Sequence, residues 1–149
     1  MKIISYQKIL AWLGLIPFIV FSFTYFFISA NGLLKPQFLH YFTVYGAIIL
    51  TFLSGIHWGV QLKNEIKLKI NLYILSNVIA LLAFLILAIR LELLQLIFLL
   101  FGFSAILLVD LSLYLKGCYT KSYISLRVSI TVSVLLLILL CLLIRAFIA

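Results

Sequence analysis

Acidic residues are scarce in this sequence. Glu65, Glu92 and Asp110 are its three carboxylate side chains, set against eleven lysines and arginines, and charged residues of both signs fill 9% of 149 positions. Soluble domains are about 25% charged and about 45–50% apolar. This chain is 67% apolar, with a mean hydropathy of +1.38. So little polar surface cannot coat a water-soluble fold, and that class is excluded. Proline is scarce as well, with Pro17 and Pro36 the two present, so long helices can run with few interruptions. Two cysteines, Cys118 and Cys141, form no C-x-x-C or Cys/His cluster. The two histidines, His40 and His57, lie seventeen positions apart, about 26 Å along one helix, too far to share a metal. No metal and no cofactor is expected. The topology derived below sends the two thiols toward opposite membrane faces, so no disulfide is expected either.

What the chain does have is apolar length. Five runs, at residues 9–30, 38–62, 70–89, 93–115 and 123–144, are separated by NGLLKPQ, KNEIKLK, RLE and KGCYTKS. About 20 residues cross a hydrocarbon core at 1.5 Å per residue, which each run can do. Only helices and closed barrels satisfy their backbone in lipid, and runs so continuously apolar are helical. The expected fold is all-α: one polytopic domain, residues 1–149, built as a bundle of five transmembrane helices. Lys2 and Lys8 could begin a signal peptide, but the first run exceeds the usual apolar region, and Ile28 stands where cleavage wants a small residue. The expectation is a retained span, which Pro17 kinks or whose carbonyl it frees for a neighbour.

The formal charge of +8 would suggest nucleic acid in a soluble protein. Here the cations stand at the ends of apolar runs, where they orient helices and anchor headgroups, and no nucleic-acid partner is expected. Lys2, Lys8, Lys63, Lys67, Lys69, Lys116, Lys121 and Arg127 fall on one face, and Lys35, Arg90 and Arg145 on the other. The positive-inside rule places the N-terminus in the cytoplasm and the C-terminus outside. The absence of an arginine-rich presequence points to a bacterial inner membrane with a periplasmic C-terminus. The expected partners are the lipid bilayer and either another membrane protein or a second copy of the chain.

The second run, YGAIILTFLSGIHWGVQL, is unusual for a lipid-facing helix. At 100° per residue Thr51, Gly55 and Gly59 share a face, a small-residue stripe that lets a neighbouring backbone approach. Gly46, Ser54, His57 and Gln61 share another. A helix with both faces is expected to be central, partnered on two sides.

Depth then groups the polar residues. His57 precedes Lys63 by six positions and Asp110 precedes Lys116 by six, which places both about 9 Å inside one boundary. Arg127 follows Lys121 by six, and Asn77 lies about 10 Å into the third helix. A polar layer of His57, Asp110, Arg127, Asn77 and Ser54 is therefore expected. An ion pair is expected between Asp110 and Arg127, which mirror each other across the tight turn. A lone charge in lipid costs about 3 kcal/mol or more. Blander readings stand beside this one. Arg127 can snorkel to headgroups, the pair can be a structural lock, and His57 can be a neutral histidine bonded to Ser54, Asn77 or a carbonyl. Ionisable groups inside membranes also mark pathways and proton relays.

Residues 45–59, YGAIILTFLSGIHWG, carry a likeness. Tyr45, Gly46, Ala47, Phe52, Leu53, Gly55, His57, Trp58 and Gly59 match a signature with a Tyr-Gly-Ala start, a Ser-Phe-Leu-Gly-Gly middle and a His-Trp-Gly or Arg-Trp-Gly end. Thr51 and Ser54 depart from it. The chain thus resembles a family of small multi-pass membrane proteins of unknown function that includes mitochondrial transmembrane protein 69. The likeness extends to LGLIPF in the first run, to Asp110, and to YISLR at 123–127, although a proline and tryptophan expected before Tyr123 are absent. It implies the five-helix architecture and carries no activity. Three function classes follow. One is a non-catalytic accessory, assembly or interaction module. Another is a small-molecule or proton-linked carrier using His57, Asp110 and Arg127. The third is a lipid- or quinone-binding protein. An enzyme is least supported, because no nucleophile–base pair, metal cluster or phosphate loop is visible.

Overall fold

The computed structural model describes residues 5–30, 36–63, 71–89 and 91–148. Its helices are α1 (Ser5–Leu13), α2 (Ile16–Ala30), α3 (Pro36–Lys63), α4 (Leu72–Ile89), α5 (Glu92–Leu115) and α6 (Lys121–Ile148). Helices α1 and α2 together make the first span, Tyr6–Ser29, and the others supply Gln37–Leu62, Leu72–Ile89, Glu92–Leu115 and Lys121–Phe147. The protein is an integral membrane protein with five spans. Of the cations used to orient it, Lys2, Lys35, Lys67, Lys69 and Arg90 lie outside the described residues.

The first span is broken at Gly14–Leu15, and Pro17 enters α2 in its opening turn. Proline fits there because the first helical N–H groups lack partners in any case. The interruption leaves the Gly14 carbonyl available, and the Tyr45 hydroxyl of α3 donates to it at 2.9 Å. The freed carbonyl thus holds the first span against the signature helix.

Helix α3 packs on α2, α4 and α5, while α6 packs on α5, α2 and α1. In the centre Phe18 makes edge-to-face contacts with Phe42, Tyr45 and Phe103, at centroid distances of 5.3, 5.0 and 6.0 Å. Glycine brings α3 and α5 together. A Cβ on Gly46 would lie 2.7 Å from Leu99 Cδ1, and one on Gly102 would lie 2.5 Å from Leu50 Cδ2. Each helix seats a leucine in the other's glycine notch.

The expected stripe of Thr51, Gly55 and Gly59 does not serve this purpose. Gly55 and Gly59 are exposed, and a Cβ at either meets nothing within 4 Å among the described residues. Gly46, on the polar face of the same helix, is the glycine that packs. Periodicity shows which residues share a face, but not which face the neighbours cover.

Candidate functional site

Helices α5 and α6 form an antiparallel hairpin whose turn is built from local hydrogen bonds. Gly117 adopts φ +76°, the Cys118 N–H donates to Leu113 O at 3.0 Å, and the Gly117 N–H donates to Tyr114 O at 2.9 Å. This is the Schellman arrangement, which ends a helix on a left-handed residue that glycine adopts without strain. Thr120 then starts α6, its carbonyl accepting from Ile124 N at 3.1 Å. With the connection this short, residues equally far from it on the two helices stand abreast. Asp110 and Arg127 are such a pair.

Arg127 Nε and Nη2 each lie 2.7 Å from Asp110 Oδ2. The other carboxylate oxygen, Oδ1, is 2.8 Å from His57 Nε2 on α3. Asp110 and His57 are 1% exposed, closed off from their surroundings, and the Arg127 side chain is 11% exposed. An ionised carboxylate can only accept. Neutral His57 therefore carries its proton on Nε2, directed at Asp110, and presents a bare lone pair at Nδ1. That nitrogen is buried and has no hydrogen-bond partner among the described residues. The triad joins three spans, and with neutral histidine it has no net charge. Arg127 does not snorkel: its guanidinium is turned to Asp110.

Ser54 and Asn77 do not enter the triad. The Ser54 hydroxyl donates to Thr51 O at 2.8 Å, while its carbonyl accepts from the Ser76 hydroxyl of α4 at 2.5 Å. Asn77 is exposed and bonds the Tyr73 carbonyl of its own helix at 2.9 Å. Helix α4 turns Leu72, Ser76, Ile79 and Ala83 inward, and Asn77 sits one residue, about 100°, off that stripe. Gln61 holds the start of α4 instead. Its Oε1 accepts from Leu72 N at 2.6 Å, capping the helix together with Asn71, whose Oδ1 takes Tyr73 N at 2.9 Å. Below the triad, Tyr119 in the α5–α6 turn lies against Tyr123 in a tilted ring contact with centroids 4.5 Å apart, and burial pushes its phenol well above the ordinary tyrosine range.

Two features are absent from the expectations drawn from the sequence. At the opposite end of the bundle the Thr43 hydroxyl donates to Gln95 Oε1 at 2.9 Å, and Gln95 Nε2 donates to Ile86 O at 3.2 Å. This buried clasp joins α3, α5 and the end of α4. The lone glutamine inside ELLQLIF was a signal that could have found it. The second feature is a cavity of about 610 Å3 between α1, α3 and α6. Phe18, Phe103 and Val134 are among its buried lining, exposed Leu10 and Phe52 stand at its mouth, and Arg127 and Thr131 contribute to its wall. No single run of sequence encodes it.

Residues 4–143 match the family described as Protein of unknown function (DUF3429), and the chain belongs to it. No curated protein and no solved structure matches it.

Proposed function

We propose that this member of the DUF3429 family is a non-catalytic module of a bacterial inner membrane, serving as an accessory, assembly or interaction unit. One observation carries the reading. Both oxygens of Asp110, the triad's carboxylate, are engaged inside the chain, by His57 and by Arg127, at 1% exposure. A carboxylate held this way clamps α3, α5 and α6 and is not free to bind or transfer. The proposed orientation, N-terminus cytoplasmic and C-terminus periplasmic, is supported by eight basic residues on one side against three on the other. Kinship with mitochondrial transmembrane protein 69 is proposed on the signature from Tyr45 to Gly59.

The test is affinity purification of the tagged chain from native membranes in mild detergent, paired with reconstitution into vesicles holding a pH-sensitive dye. The expected result is a membrane protein retained in fixed stoichiometry, and no flux driven by a pH gradient. Alkaline phosphatase fused after Ala149 should be active, while green fluorescent protein at the same position should be dark.

A second reading has its own support. His57 Nδ1, buried without a hydrogen-bond partner among the described residues, presents a lone pair inside a span, where ionisable side chains mark proton relays. A proton flux that disappears in His57→Phe would replace the accessory reading with a proton-linked carrier.

A further inference from the structure

Arg127 belongs to two features at once: it closes the triad and it lines the cavity. Asp110 takes Nε and Nη2, while Nη1 makes no hydrogen bond among the described residues. Guanidinium groups carry five N–H donors, so donors remain on the side away from Asp110. Thr131, one turn further along α6, also lines the cavity.

Gln7 and Tyr123 also line the cavity, and the rest of its wall is apolar. Val134 lies seven residues beyond Arg127, about 10 Å deeper along α6, and Phe18 and Phe103 line the cavity with it. The volume of about 610 Å3 falls within the range of about 300–1,000 Å3 typical of small-molecule sites. At the mouth, Leu10 is 67% exposed and Phe52 66%, and both lie in membrane spans. A ligand therefore enters sideways, from the acyl chains.

Charge selects the head of that ligand. Arg127 is already neutralised by Asp110, so a second anion would leave net negative charge in a low-dielectric interior, which is strongly unfavourable. An uncharged acceptor incurs no such penalty. The arginine also lies about 9 Å below the boundary marked by Lys121, so the head must itself be able to leave the interface. A flat ring bearing uncharged carbonyls meets both conditions. A glycerolipid, tied to a polar headgroup, does not.

We propose that this cavity binds a membrane-soluble quinone, its tail along Phe18, Phe103 and Val134 and a ring carbonyl accepting from Arg127 Nη1. The proposal goes beyond the accessory reading and does not rest on it.

The test uses the full chain in maltoside micelles, whose detergent carries no carbonyl. A decyl-substituted benzoquinone is titrated while tryptophan fluorescence is followed, since Trp12 sits on α1 beside cavity-lining Ala11. Saturable quenching is expected, weakened about tenfold or more, the equivalent of about 1.4 kcal/mol, in Ala11→Phe, which fills the cavity without touching the triad. Arg127→Lys keeps a cation for Asp110 but loses the second fork, and should weaken binding similarly. Thermal unfolding of Ala11→Phe at the wild-type midpoint establishes that the fold is intact. Were that midpoint lowered, Thr131→Val, which removes only a hydroxyl from the wall, is the variant in which weaker quenching is required. Quenching that never saturates, that persists in the variants, or that monoolein or oleate abolishes as well as unlabelled quinone does, overturns the proposal.

Discussion

The triad can be dissected by removing its charges singly and together. In Arg127→Met, Asp110 keeps His57 but loses its cation, leaving a buried carboxylate without a counter-charge. Breaking a buried pair in this way costs about 3–5 kcal/mol. Asp110→Leu instead strands Arg127 and takes from His57 its partner on Nε2. The Arg127 side chain is 11% exposed and about 9 Å from the boundary, so it can turn toward the headgroups, and the variant's loss should fall near the lower limit, about 3 kcal/mol. The double variant Asp110→Leu/Arg127→Met buries no charge at all. What remains is a neutral His57 with both ring nitrogens unpaired, a penalty of about 1–3 kcal/mol. Additive singles would sum to about 6–8 kcal/mol, so the coupling energy should reach about 3 kcal/mol or more, the upper end for contacting residues. The assay is reversible unfolding in mixed maltoside and dodecyl sulfate micelles, read by far-ultraviolet circular dichroism. An Arg127→Met variant within about 1 kcal/mol of wild type, or a double variant as unstable as the sum, would refute the clamp.

Other substitutions probe the packing. Gly46→Leu drives a side chain into Leu99 and should destabilise by about 1–3 kcal/mol, whereas Gly55→Leu meets open space and should unfold within about 0.5 kcal/mol of wild type in the same assay. Tyr45→Phe removes the bond to Gly14 O and should cost about 0.5–1.5 kcal/mol, with faster amide exchange around the α1–α2 break measured by mass spectrometry. Gln95→Leu takes the amide donor from the Ile86 carbonyl and leaves the Thr43 hydroxyl to the His40 carbonyl alone, and a loss of about 1–3 kcal/mol is expected; a double-mutant cycle with Thr43→Val measures how much of it runs through Thr43.

Much of the site could be read from the chain because its geometry is local. Asp110 and Arg127 meet because KGCYT is a tight helix stop and restart, so equal spacing on either side becomes equal depth. His57 belongs to the same layer by counting from Lys63, and its contact with Asp110 agrees with that depth. Asn77 has the right depth as well, yet faces outward while Ser76 turns in. Depth follows from rise per residue. Azimuth does not, because the rotation of α4 is set by how Leu72, Ile79 and Ala83 pack. The glycines teach the same lesson: Gly46 and Gly55 look alike in sequence, and only a leucine on α5 makes one of them a notch.

The chain alone determined five spans, their lengths and their ends, because dehydrating a backbone in lipid forces long apolar helices whatever their neighbours are. It also determined that Pro17 would disturb the first span, since a missing N–H is a property of the residue. Tertiary structure decided which carbonyl Tyr45 would claim, which glycines would pack, and that a cavity would open beside Arg127. Those outcomes depend on the mutual rotation of helices, settled by many weak contacts between residues far apart in the chain, and no local property of the sequence encodes them.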